Sequence, residues 1–146
     1  MARSYSRTTR SNLGFLLAKA SQRWNELLHD RLAAAGYGHV RPAYGSLLLP
    51  LWEEDGLRLG ELARRARLSK QTLTTMARLL ERDGLVTRDP DPADARAVRV
   101  RLTRQARELR PVAERALAEI EAALAERIGE QGTGDLGWLL REVIAL

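Results

Sequence analysis

Apolar residues recur through the first quarter of the chain at Leu13, Leu16, Leu17, Ala20, Trp24, Leu27, Leu28, Leu32 and Ala35. Spacings of three and four put them on one stripe of a helix about six turns long, which Gly36 ends. A second helix is expected from Pro42, a good first-turn residue, with Tyr44, Leu47, Leu48, Leu51 and Trp52 on its apolar side. Pro50 removes the bond to Ser46 and is expected to kink it, and Gly56 closes it. Residues 57–59 are a short strand candidate, and GELARRAR (60–67) is a short helix burying Leu62, Ala63 and Ala66. Ser69 then stands where an N-cap belongs, with Leu68 and Leu73 spaced as a hydrophobic staple around it. The helix so started ends at Gly84, a left-handed stop. Two short helices joined by a tight turn read as a helix-turn-helix.

After Gly84 the period falls to two. LVTR (85–88) and AVRVRL (97–102) read as strands, with Val98, Val100 and Leu102 facing one way and Arg99 and Arg101 the other. DPDPADAR (89–96) connects them, and Pro90 and Pro92, which cannot donate to a ladder, are expected in that loop. A hairpin beside a helix-turn-helix defines a winged helix. Thr103 can cap a long helix carrying Leu109, Val112, Ala116, Ile120 and Ile128. Pro111 requires that helix to kink near its start or to begin later. GEQGTGD (129–135) reads as a break and residues 136–146 as a short terminal helix. The expected fold is mainly α with a small β-hairpin wing, one domain over 1–146, the winged helix-turn-helix occupying 57–102.

At 100° per residue the helix after Ser69 divides into two faces. Leu73, Met76, Ala77 and Leu80 fall on one; Gln71, Thr74, Thr75, Arg78 and Arg82 fall on the other. A major groove about 12 Å wide accepts one helix, and these polar side chains suit base edges. Glutamine can pair two atoms of adenine, arginine can fork onto guanine, and threonine offers a hydroxyl and a methyl. Ser69, Lys70 and Thr72 complete the candidate major-groove set at the helix start. An amphipathic helix with a solvated face would look similar, but no acid interrupts this face between Gln71 and Arg78. On the wing, Arg96 is placed for a narrow minor groove, whose negative potential attracts arginine. Arg99 is a second wing candidate.

Charge supports that reading. Of 24 basic residues 22 are arginine, which suits phosphates and base edges but is also what a GC-rich genome supplies. The distribution says more: residues 56–105 hold twelve cations and six anions, a net of +6, while the remaining residues together are at −1. There is no cysteine, so disulfides, thiolate sensing and cysteine metal sites are excluded, and two histidines ten residues apart offer no metal cluster. The N-terminal stretch lacks the apolar core of a signal peptide, and the longest apolar run, LLLPLW, cannot cross a bilayer. A cytoplasmic protein with no membrane role is expected. No nucleophile–base set or phosphate-binding glycine loop points to an enzyme.

LSKQTLTTMARLLERDGLVTRDPDPADARAVRVRLT (68–103) resembles the MarR family of bacterial transcriptional regulators. The shared pattern is a capped recognition helix, then LxxxGLVxR, then DPxDxR, then alternating apolar residues ending in LT. Two departures stand out: Ala95 where Arg or Gly is common, and Ala106 for the usual glycine after LT. The resemblance implies a homodimer whose terminal helices, 10–36 and 104–146, interleave, with the recognition helix in a major groove and Arg96 in the adjacent minor groove. It implies that Asp94 holds Arg96 by hydrogen bond or ion pair rather than touching DNA. It also implies an effector, a small aromatic or phenolic acid, bound between the dimer helices and the winged domain. Trp24, Tyr44 and Trp52, with His39 in their connection, are the candidates to line that pocket. No cofactor is expected. The function expected is a repressor that reads duplex DNA sequence; the alternative is an architectural protein that grips phosphate without reading sequence.

Overall fold

A computed structural model describes residues 7–146; the first half of the basic N-terminal tail lies outside the described residues. The order is α1 (Leu13–Ala34), a 3-10 turn (Pro42–Tyr44) running into α2 (Gly45–Glu53), β1 (Leu57–Arg58), α3 (Leu59–Ala66), α4 (Lys70–Arg82), β2 (Val86–Asp91), β3 (Asp94–Leu102) and α5 (Arg104–Ile144). The fold is therefore mainly helical with a three-stranded antiparallel sheet in the order β1-β3-β2. No helix among the described residues is long and apolar enough to cross a membrane.

One core joins α2, α3, α4, the sheet and the start of α5. Leu47, Leu62, Leu73, Ala77, Leu80, Leu85, Val100 and Ala106 are all fully buried in it. The helical spacing of Leu73, Ala77 and Leu80 and the alternation of Val100 and Leu102 supply its two faces. Ser69 caps α4 by accepting from the Thr72 amide at 3.1 Å. Gly84 follows with φ of 77°, a conformation that only glycine adopts at low cost. Its carbonyl accepts from the hydroxyl of Thr103, which also caps α5, so the exit of α4 is tied to the entry of α5.

Four expectations are corrected or narrowed. The wing connection is a two-residue turn, Pro92–Ala93, not the segment 89–96. Pro90 lies inside β2 opposite Val98, tolerated because β2 is an edge strand with no neighbour on its far side. Pro50, expected to kink α2, lies inside a helix that runs on to Glu53; the freed carbonyl belongs to Ser46, which is exposed. Of the two alternatives at Pro111, the later start is excluded, since α5 begins at Arg104 under the Thr103 cap with the proline inside it. Finally, the seven-residue break contracts to Gly129 alone, whose φ of 80° and ψ of 163° interrupt an otherwise helical 104–144. Residues 130–135 are helical, with Thr133 donating to the Gly129 carbonyl and Gln131 to Asp135.

The terminal helices are covered only in part. α1 buries Leu32 alone, and an Arg31–Glu119 pair at 3.3 Å links it to α5. Leu13, Leu16, Trp138, Leu139, Val143 and Ile144 are exposed.

Candidate nucleic-acid interface

α4 turns Leu73, Ala77 and Leu80 inward, and the same 100° step turns Lys70, Gln71, Thr74, Thr75 and Arg78 onto one shallow outward concavity. Five of the seven expected major-groove residues thus share a surface. Ser69 and Thr72 sit at its start, joined by a hydroxyl–hydroxyl hydrogen bond of 2.8 Å. The threonine hydroxyls are already committed as donors: Thr74 donates to the Lys70 carbonyl at 2.8 Å and Thr75 to that of Gln71 at 3.1 Å. Outward they offer lone pairs and methyl groups, while the donor groups come from Gln71, Lys70 and Arg78.

Ion pairing decides which cations remain available. Arg64 and Arg65 of α3 close on Glu61, holding its carboxyl down at about 2, and Arg65 also reaches Glu54. Arg88 pairs with Glu81, Arg82 with Asp83. Arg67, Lys70, Arg78 and Arg96 have no side-chain hydrogen bond or ion pair among the described residues. The positive excess of the middle third therefore comes to the surface mainly at the turn, the recognition face and the wing.

The wing is organised by a residue not singled out from sequence. The Asp91 carboxylate is buried, accepts from the Ala93 amide at 2.8 Å, and pairs with Arg58 at 2.6 Å and Arg99 at 3.0 Å. The Ala93 hydrogen bond first, then the two guanidinium groups, hold its pKa below the usual carboxylate range. Arg99, the second wing candidate for DNA contact, is engaged within the chain: besides Asp91 it donates through Nη1 to the Gly56 carbonyl at 2.7 Å. The β1–β3 register sets Arg58 opposite Arg99, and the carboxylate takes both. Asp94 meets Arg96 only at its backbone: the Arg96 amide donates to Asp94 Oδ1 at 3.0 Å, and Arg96 is exposed.

Behind this surface, a cleft of about 220 Å³ lies between α1, α2 and α5. Trp24 and Trp52 line it, with Leu28, Leu48, Leu117 and, from the α1–α2 connection, Arg41. The Trp52 indole donates to the Ala106 carbonyl at 3.0 Å. Tyr44 and His39 were expected there and are not. Tyr44 is buried in the core, its hydroxyl donating to Asp83 Oδ2 at 2.5 Å; His39 is exposed, stacked on Tyr37 and hydrogen-bonded to Gln105.

The sequence model of the MarR family matches residues 42–98, from the 3-10 turn into β3. Over 97% of its length the chain superposes on 99% of the transcriptional repressor CouR, solved bound to a 23-mer DNA duplex, with a TM-score of 0.80 and 26% identity. Residues 42–98 thus resemble the MarR family. The chain is 42% identical over 64 residues, 44% of its length, to the HTH-type transcriptional regulator TtmR of Methylorubrum extorquens (strain PA1). It is 39% identical over 62 residues, 42% of the chain, to the organic hydroperoxide resistance transcriptional regulator of Bacillus subtilis (strain 168). The matches span 33% and 42% of those relatives' own lengths.

Two residues escaped the sequence reading. Asp91 had no signal, because one of its arginine partners, Arg58, comes from a strand 33 residues earlier and the other, Arg99, is brought to it by the hairpin register. The Tyr44–Asp83 bond had only a weak one: a tyrosine on an otherwise aliphatic helix face needs a partner for its hydroxyl when buried.

Proposed function

We propose that this chain is a dimeric, sequence-specific regulator of transcription that acts by binding rather than catalysis, in the cytoplasm, and represses by occupying a pseudo-palindromic operator. The observation that carries the reading is the single concavity formed by Lys70, Gln71, Thr74, Thr75 and Arg78, free of acids. In a major groove Gln71 would pair with adenine and Arg78 with guanine, while the threonines accept from exocyclic amines or meet thymine methyls. Arg96 would enter the minor groove. The exposed apolar faces of α1 and α5 favour a second copy of the chain, and two-fold symmetry would then set the recognition helices about one duplex turn apart. The Trp24–Trp52 cleft, with Arg41 at its edge, suits a small aromatic or phenolic acid, which would release DNA by favouring a different helix spacing.

Selection of bound duplexes from a random library tests this. An inverted repeat, with preference over random duplex of about 10³-fold or more, supports the regulator. Salt-dependent binding with no enriched sequence would favour the architectural alternative, and absence of binding would remove both.

A further inference from the structure

We infer that Arg41 is an additional DNA contact, a backbone-phosphate anchor flanking the recognition helix and lying outside both the helix-turn-helix and the wing. The inference rests on the DNA-binding reading above. Arg41 lies on the α1–α2 connection, extended at φ −82° and ψ 138° as a residue before proline prefers, so its backbone is held in place by Pro42. Its side chain is exposed and borders a groove whose other wall is α4, through Gln71, Thr72 and Thr75. Gln71 and Thr75 also line the outward concavity, so groove and recognition face are one continuous surface.

A helix seated in a major groove has a sugar–phosphate strand along each flank, and the residues that meet those strands fix its register. Arg41 stands on one such flank. Among the described residues its guanidinium makes no hydrogen bond or ion pair. The Asp83 carboxylate feels its charge, but its two oxygens are taken by Tyr44 at 2.5 Å and Arg82 at 3.1 Å. An unpaired planar fork beside the base-reading face is suited to a phosphate, which it can hold with two parallel hydrogen bonds.

The test compares the full-length wild type with Arg41→Ala and Arg41→Lys on the selected operator and on random duplex, over a range of salt. A phosphate anchor predicts that Arg41→Ala weakens both duplexes by a similar factor. It also predicts that the slope of log affinity against log salt falls by about 0.9 for each protomer bound. Arg41→Lys should restore most of the slope and part of the affinity. Loss of thermal stability with an unchanged slope would mean that Arg41 only balances Asp83, and would overturn the proposal. So would a loss confined to the operator, which would make it a base reader. A wild type that binds no DNA fails the functional reading itself and is separated from these outcomes by the first measurement.

Discussion

Asp91 is the one buried charged residue among those described, and three donors converge on it from β1, β3 and the wing turn. Replacing it by asparagine keeps the shape but sets an amide against two guanidinium groups. Asp91→Asn should raise amide hydrogen exchange through 86–102 and weaken DNA binding while leaving α4 protected; unchanged exchange in the wing would show that the carboxylate does not hold it. Tyr44 and Asp83 form a second such point. The carboxyl of Asp83 is held low, by the Tyr44 hydrogen bond first and Arg82 next, so its stabilisation is present above the usual carboxylate range and lost as pH falls through it. The Tyr44 phenol is raised, by burial first and Asp83 next, so its share persists below the usual phenol range and is lost only at high pH. Tyr44→Phe should therefore cost about 1.5 kcal/mol at neutral pH and flatten the acid-side decline, read by urea unfolding at a series of pH values. At this scale the sequence displayed Gln71, Thr74, Thr75 and Arg78, because one helix period places them together. It could not display Asp91 or the capture of Arg99, which depend on strand register between distant segments.

Elements were legible where a local signal sufficed. Ser69, the Leu68–Leu73 pair and Gly84 delimit α4 within the sequence itself, and the structure follows them. Pro90 misled, because a proline states what a backbone position cannot donate, not whether that donor was needed. Pro90 sits on a sheet edge, and Pro50 frees the carbonyl of the exposed Ser46. GEQGTGD looked like a loop from composition, yet six of its seven residues continue the helix. Only Gly129 breaks it, in a φ/ψ region that is essentially closed to other residues. Gly129→Ala should cost about 1–3 kcal/mol in thermal or denaturant unfolding, since no contact within reach compensates the strain. An unchanged midpoint would mean that α5 straightens without penalty and that the bend is not required.

On the scale of the whole molecule, one chain leaves Leu13, Leu16, Trp138, Leu139, Val143 and Ile144 in water, all on the terminal helices. Single exposed apolar residues are ordinary; this many on two packed helices is what the proposed dimer would cover. The protein should run as a dimer in light scattering, with a thermal midpoint that rises with protein concentration. Leu139→Asp with Trp138→Glu should lower the mass toward a monomer and weaken operator binding, whereas a dimer surviving both changes would place the contact elsewhere. The sequence announced this surface through periodicity alone, because an unmatched apolar stripe needs no knowledge of its partner. Pro90 bears on the opposite problem, contact that must not happen. The outer side of β2 is a strand edge, and an open edge invites the backbone of any passing strand. By withholding one amide in the middle of that edge, Pro90 leaves a gap that a foreign strand could not zip across. The wing is thereby guarded against sheet-to-sheet aggregation.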